Sequence, residues 1–272
     1  IDTLPPIAIC QDTTIYLDAL GQFTIDSSYI DGGSNDPCGI FIISQTDFDC
    51  SHLGANNVQL TVTDLSGNPD SCIAVVTVLD TINPQVSCNN ATYYLDGSGN
   101  LTIDTSGLIS SVSDNCGVDS VWINSADTNF GCVDTGVQMI TIYVTDASGN
   151  IDSCMSTITV LDTINPQIIC NNPTFYLDAT GSLVIDTTGL ITSVNDNCSL
   201  DSVWIDPSDE NYGCIDTGVH MVTVYAMDVS GNIDSCTSTL TVLDTINPQI
   251  VCNNPTFYLD ATGSLVIDTT GL

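Results

Sequence analysis

Apolar residues along this chain fall at every second position, in short runs separated by Gly, Asn, Asp and Ser. Residues 80–161 show the pattern well. Gln85–Cys88 and 92–95 are short apolar and aromatic runs, and Asp96-Gly97-Ser98-Gly99 reads as a turn before Leu101-Thr102-Ile103. Val118–Ile123 alternates around Trp122, 137–145 is a long β-branched run, 146–150 turns, and 154–161 alternates again. Period-two alternation bounded by turn residues is the signal of half-buried strands. No stretch keeps a helical period, and 106–111 has room for one short turn at most. Seven or so short strands at this spacing predict an all-β, Ig-like β-sandwich.

The pattern recurs. Asp80-Thr81-Ile82-Asn83-Pro84 returns at 162–166 and 244–248, a spacing of 82 residues each time, and Asp2-Thr3-Leu4-Pro5-Pro6 is a degenerate copy. A fixed period sets the architecture before any local reading. It divides the chain into 1–79, 80–161, 162–243 and the start of a fourth repeat, 244–272, and predicts tandem domains arranged as a linear rod. Trp204 stands in the third repeat for Trp122, and Phe41 lies near that place in the first. The first repeat lacks four residues between its second and third cysteines, a deletion expected in a loop. Residues 162–190 and 244–272 differ only at Ile169 against Val251. The expectation is a window cut from a longer array.

Composition changes the picture in two ways. The chain has no Lys or Arg against 33 acidic residues, of which only Glu210 is Glu. Charge-driven binding to nucleic acid or an anionic membrane is excluded, and the cations must come from outside. A hydrophobic fraction of 43% argues against disorder. Thirteen cysteines at recurring positions point to a disulfide framework and an oxidising, extracellular setting. A repeat of about 80 residues buries a thin core and needs such staples. There is no initiator Met, signal peptide or apolar run of membrane-spanning length.

Val-Thr-Asp-Ala-Ser-Gly-Asn-Ile-Asp-Ser-Cys (144–154), followed by Thr-Ile-Thr-Val-Leu-Asp-Thr-Ile-Asn-Pro (157–166), resembles the HYR (hyalin repeat) group of Ig-like domains. It is most similar to tandem copies in secreted surface proteins of Bacteroidetes-type bacteria. The resemblance covers every repeat and implies an extracellular adhesive or structural role without catalysis.

Each full repeat has four cysteines, which allow three pairings. If the chain enters a sandwich at one pole and leaves at the other, the first and last strands run parallel and start together. Cys88 and Cys154 sit near those starts. This favours Cys88 with Cys154 and Cys116 with Cys132, and by the repeat Cys10 with Cys72, Cys38 with Cys50, Cys170 with Cys236 and Cys198 with Cys214. Cys252 has its partners beyond the window. Zinc is disfavoured, because no close Cys-x-x-Cys pair exists. His52 and His220 are not at equivalent positions and read as surface polar residues.

The loop Asp146-Ala147-Ser148-Gly149-Asn150-Ile151-Asp152 reads first as a hairpin turn, since Gly and Asn tolerate positive φ and Asp and Ser bond their own backbone. In a sandwich it lies at the pole where the chain enters, as do Asp114-Asn115 and the joint residues Asp80 and Asn83. Three oxygen-bearing segments without a basic residue predict Ca²⁺, which takes six to eight oxygen ligands. The loop is not an EF-hand, because its Gly is misplaced and the distal Glu is missing. The predicted ligand set repeats as Asp162, Asn165, Asp196, Asn197, Asp228, Asn232 and Asp234. It is also represented by Asp2, Asp36, Asp64, Asn68 and Asp70, and begins again at Asp244 and Asn247. Asp96 and the Asp134-Thr135-Gly136 loop face the following joint as weaker candidates.

A five-residue joint ending in Pro is short and extended. Bound calcium there would cancel repulsion between poles and stiffen the joint. Thr81, Thr163 and Thr245 resemble Bacteroidetes O-glycosylation acceptors, and Asn90, Asn100 and Asn197 lie in Asn-x-Ser/Thr sequons. The functional expectation is an extracellular structural or adhesive filament, or an adhesin stalk. Its partners would be neighbouring repeats, with lateral self-association as a further option. The alternative is a carbohydrate- or protein-binding module using Trp122, Tyr93, Tyr94, Phe175 and Tyr176. No Ser-His-Asp pattern or basic oxyanion donor suggests an enzyme.

Overall fold

The computed structural model describes residues 3–35 and 40–267. The chain divides into two compact units, Ile1–Thr163 and Ile164–Leu272. The first unit holds two copies of one strand plan and the second holds one copy, followed by residues 244–267, which carry no strand.

In the copy over residues 85–161, the long strands Gly136–Asp146 and Ile151–Leu161 form an antiparallel hairpin. Val118–Ile123 pairs with the first of them, and Ala91–Tyr94 joins the second in parallel. The opposite layer is two short antiparallel pairs, Gln85–Cys88 with Ile109–Ser113 and Asn100–Thr102 with Asn129–Gly131. This is an Ig-like sandwich: a terminal hairpin flanked on one side by an antiparallel strand, with the first strand divided between the layers. The sheets of residues 13–79 and 174–243 repeat the order.

Alternation explains the long hairpin. Ile140, Ile142 and Val144 face inward from one strand, and Ile158 and Val160 from the other, each at most 2% exposed. Burying each such side chain is worth roughly 1.5–3 kcal/mol. The turn follows from its residues: Asp146 Oδ1 accepts from Ser148 N (2.9 Å) and Asn150 N (2.8 Å), and Gly149 takes φ +89°. That left-handed position is disfavoured for residues with a Cβ. Leu177, at the end of the parallel strand, and Ile185 and Leu190, from the opposing layer, join the same buried cluster as Val222, Val224, Leu240 and Val242 in the last copy.

Two strands depart from the sequence expectation. Ile109–Ser113 overlaps the stretch 106–111, whose sequence leaves room for one short turn at most, and Asn129–Gly131 carries no strand signal. Ile-Ser-Ser-Val-Ser is mostly exposed on an edge, so burial imposes little alternation on it. Trp122 also departs from an Ig core tryptophan. It is 38% exposed and stacks on Tyr143, its cross-strand partner, at 5.6 Å. Trp204 stacks in the same way on Tyr225. Among the described residues no helix is long and apolar enough to cross a membrane.

Candidate cation-binding centre and the covalent joint

The first joint follows the strand Pro69–Leu79. Asp80 leaves the sheet and turns its carboxylate back, where Oδ1 accepts from Ile82 N at 3.1 Å. Pro84, which has no N–H to satisfy, is buried. Asp146 terminates a long strand, and Asp114 follows the edge strand Ile109–Ser113. Three segments remote in sequence therefore meet, with one carboxylate oxygen each from Asp80, Asp114 and Asp146 within 4.8 Å of the others.

Most oxygens here have defined partners. Asp146 Oδ1 serves its turn, and Oδ2 accepts from Asn150 Nδ2 at 2.7 Å. Asp114 Oδ2 accepts from Cys116 N at 2.8 Å. Asn115 Nδ2 donates to Asp80 Oδ1 and to the carbonyl of Asp18, both at 3.2 Å. Three buried oxygens have no hydrogen-bond donor: Asp80 Oδ2, Asp114 Oδ1 and Asn115 Oδ1. Asp80 is 6% exposed and Asp146 2%. Carboxylates this close repel by about 3 kcal/mol per pair at an effective dielectric of about 20, and the sequence has no Lys or Arg to oppose them.

A calcium ion coordinated at about 2.4 Å holds its ligand oxygens no more than about 4.8 Å apart. The spacing of the three carboxylates fits such an ion, and the unpartnered oxygens supply two carboxylates and an amide carbonyl. All are hard oxygen donors, the set that suits calcium or magnesium and not zinc.

The other predicted ligands separate into distinct roles. In the second unit Asp196 repeats Asp114, accepting from Cys198 N at 2.8 Å and leaving a buried Oδ1 without a donor. Asp228, 1% exposed, repeats Asp146, and Asp162 is 6% exposed. Asn197, next to Asp196 in sequence, is half-buried. In the first repeat Asp64 forms the same turn as Asp146, and donors on Asn68 and Ser66 hold its carboxyl below the usual range. Asp2 and Asp36 lie outside the described residues.

Several of the expected ligands also make other contacts. Asn68, Asn150 and Asn232 use their amide nitrogens as donors, clamping Asp64, Asp146 and Asp228. Asn150 Nδ2 also donates to the carbonyl of Asp80 at 3.2 Å, so it ties turn to joint. Asp152 and Asp234 lie within strands, opposite Val144 and Ala226, and stand outside the acidic group. Asp70 accepts from Ala8 N at 2.9 Å, securing the start of the first repeat. Asn83, Asn165, Asp244 and Asn247 are exposed. His52 pairs with Asp49, and His220 Nε2 lies 2.7 Å from the carbonyl of Asp216.

Cys10–Cys72, Cys88–Cys154 and Cys170–Cys236 are disulfides, the pairs that parallel first and last strands predict. The second pair of each repeat is different. Cys50 is bonded to Cys116 in the following repeat, which rules out Cys38 with Cys50 and Cys116 with Cys132. Cys198 is disulfide-bonded while Cys214 is a free thiol, which rules out Cys198 with Cys214. The reason is positional: Cys50 follows the strand Asp47–Asp49, while Cys116 belongs to the loop next to the first joint. Cys38 lies outside the described residues. Sequence reasoning also missed the backbone carbonyl of Asp18. The weakly favoured loop at Asp96, its equivalent in the second repeat, was the available signal.

Ig-like repeats stapled by disulfides, with buried carboxylates at a joint, define the class of this protein. Hyalin of Strongylocentrotus purpuratus is 28% identical over 268 residues, covering 93% of this chain and 22% of hyalin. An uncharacterized 81.3 kDa protein of Acholeplasma phage L2 is 30% identical over 238 residues, covering 85% of this chain and 30% of its own length. The chain thus spans less than a third of either relative, and neither is from a Bacteroidetes bacterium. No family model matches. Among solved structures, a three-Ig titin fragment (I67–I69, E-to-A variant) aligns at TM-score 0.45 and 9% identity, over 89% of this chain and all of the fragment. Human CDH23 EC21–23 aligns at TM-score 0.39 and 12% identity, over 88% of this chain and all of that one.

Proposed function

We propose that this chain is a non-catalytic length of an extracellular structural or adhesive filament or stalk. In this reading 1–79, 80–161, 162–243 and 244–272 are successive repeats, and calcium stiffens the joint between the first two. One observation carries it: Asp80, Asp114 and Asp146 converge, with unpartnered buried oxygens, in a chain without Lys or Arg. Asp80, Asp114 and Asn115 would supply those oxygens, with Asp146 as the third carboxylate. The ion would supply positive charge that links the joint to two loops of the second repeat. Similarity to hyalin supports an extracellular repeat protein, and so do the disulfides.

Calorimetric titration with Ca²⁺, paired with thermal melts in calcium and in chelator, tests this reading. At a hundredfold excess over its dissociation constant, one ion adds about 2.7 kcal/mol. Absence of both a binding heat and a melting shift would defeat the calcium reading.

A second reading has its own observation. Exposed Trp122 stacks on half-buried Tyr143, and the arrangement recurs with half-buried Trp204 on Tyr225, giving partly accessible flat aromatic faces of the kind sugars pack against. Glycan-array binding lost in Trp122→Ala and Trp204→Ala would support it. Thr81, Thr163 and Thr245 are exposed, as glycan acceptors must be, and intact mass tests their modification.

A further inference from the structure

The covalent joint between the first two repeats has a counterpart in the third repeat with its cysteine unbonded. In the first repeat the receiving side consists of the turn 18–21 and Cys50. Asp18 Oδ1 accepts from Leu20 N (2.8 Å) and Gln22 N (3.0 Å), which holds the turn. The Asp18 carbonyl then accepts from Asn115 Nδ2, and Cys50 closes the contact through its bond to Cys116. Gly21 lies beneath, at φ +71°. A Cβ there would stand 2.6 Å from Cys50 Sγ and 2.7 Å from the Asn115 carbonyl oxygen. The backbone of one repeat therefore approaches the Asp114-Asn115-Cys116 loop of the next more closely than a side chain permits.

Every receiving part recurs in the third repeat. Asp178 Oδ1 accepts from Thr180 N (2.8 Å) and Ser182 N (3.0 Å). Gly181 has φ +77°, and a Cβ on it would stand 2.5 Å from Cys214 Sγ. Cys214 Sγ lies 3.6 Å from the Gly181 carbonyl, against 3.7 Å between Cys50 Sγ and that of Gly21. Cys214 follows the strand Asn211–Gly213, as Cys50 follows Asp47–Asp49. Its thiol is free and exposed, and it borders a cleft of about 390 Å³ lined by Asp178, Thr180, Gly181, Asp244 and Pro248.

We propose that the turn 178–181 and Cys214 form a socket for the Asp-Asn-Cys loop of another repeat, which a disulfide then locks. The proposal rests on reading the repeats as modules of one array and does not depend on the bound cation. The incoming Asn would donate to the Asp178 carbonyl, placing the adjacent cysteine at Cys214. A small-molecule disulfide such as oxidised glutathione is the oxidant. It first forms a mixed disulfide with the incoming cysteine and releases one reduced glutathione. The Cys214 thiolate then attacks the incoming cysteine's sulfur, the new S–S bond forms, and the second glutathione leaves as thiolate and takes up the proton Cys214 gave up. Two thiols are oxidised and one glutathione disulfide is reduced to two thiols.

Cys252, also free and exposed, is an internal control because the repeat aligns it with Cys88 and Cys170 and not with Cys214. The test adds the peptide Val-Asn-Asp-Asn-Cys-Ser-Leu, the sequence of residues 194–200, as its glutathione mixed disulfide to the intact chain. Peptide transfer to Cys214 and to Cys252 is read by mass spectrometry, once in calcium and once in chelator. The expected result is a preference for Cys214 of about tenfold, equivalent to about 1.4 kcal/mol, in both conditions. The preference should be lost when the Asn before the peptide cysteine is Ala. Equal transfer to the two thiols overturns the socket, as does a preference indifferent to that Asn. Failure of the calcium reading would appear in the melts and leave this ratio unchanged.

Discussion

Cys50 and Cys116 belong to consecutive repeats and are joined by a disulfide across 66 residues of sequence. The bond lies beside the first joint, since Asn115 touches both Asp18 of one repeat and Asp80 of the joint. In the chain-entropy view, closing a loop of that length stabilises by about 4 kcal/mol. The double variant C50S/C116S should lose up to that amount in chemical denaturation. Cleavage at the joint should also rise. Trypsin has no Lys or Arg to cut, so thermolysin acting before Ile82 is the suitable reporter. Unchanged cleavage and an unchanged denaturation midpoint would show that the link does not restrain the joint.

Asp80→Asn separates repulsion from coordination. The amide keeps an oxygen for Ile82 N and removes one of three clustered negative charges. In chelator the variant should therefore melt higher than the parent, and in millimolar calcium lower. Neutralising Asp80 removes two repulsive pairs, with Asp114 and with Asp146, worth about 6 kcal/mol together at most. Crossing of the two melting curves is the signature. A shift of the same sign in both buffers would mean that no cation binds through Asp80.

The strand plan could be read from sequence wherever one face is buried. Alternation along 137–145 and 154–161 locates the long hairpin, because Ile140, Ile142, Ile158 and Val160 must face inward. Ile109–Ser113 escaped notice because an exposed edge strand has little to alternate against. The acidic centre was legible as residue types, through Asp80, Asp114 and Asp146, but the assignment of oxygens was not. Whether Asn150 coordinates or clamps depends on the donors around it, and Asn150 Nδ2 faces Asp146 Oδ2. The cysteine error has a different origin. Four cysteines per repeat suggest closure within each repeat, whereas the loop carrying Cys116 packs on the preceding one.

Asn150 makes a sharper prediction about the clamp. Its side chain donates to the Asp80 carbonyl and to Asp146 Oδ2. Asn150→Ala should cost about 1–3 kcal/mol, the range for leaving a buried acceptor unsatisfied, with or without calcium. Asn150→Asp should cost more in chelator, because it adds a fourth carboxylate, and should recover stability as calcium is added. Equal losses for the two variants in chelator would place Asn150 outside the field of the centre.

The turn carboxylates predict the acid limit of the fold. Donors from the Thr180 hydroxyl, then the Ser182 and Thr180 backbones, hold the Asp178 carboxyl below its ordinary value. A depressed carboxylate stabilises the folded state fully above the ordinary pKa of about 3.9, and the contribution is lost as pH falls through the folded-state value. Protonation at large also relieves the self-repulsion of a chain of formal charge −33, so the raw melting curve mixes two opposite trends. The difference between the parent and Asp178→Asn removes most of the shared trend. Measured in chelator, that difference should be flat from pH 7 to about pH 5 and shrink below about pH 4. A difference that grows on acidification would contradict the assignment, because it would mean that the turn favours the protonated acid.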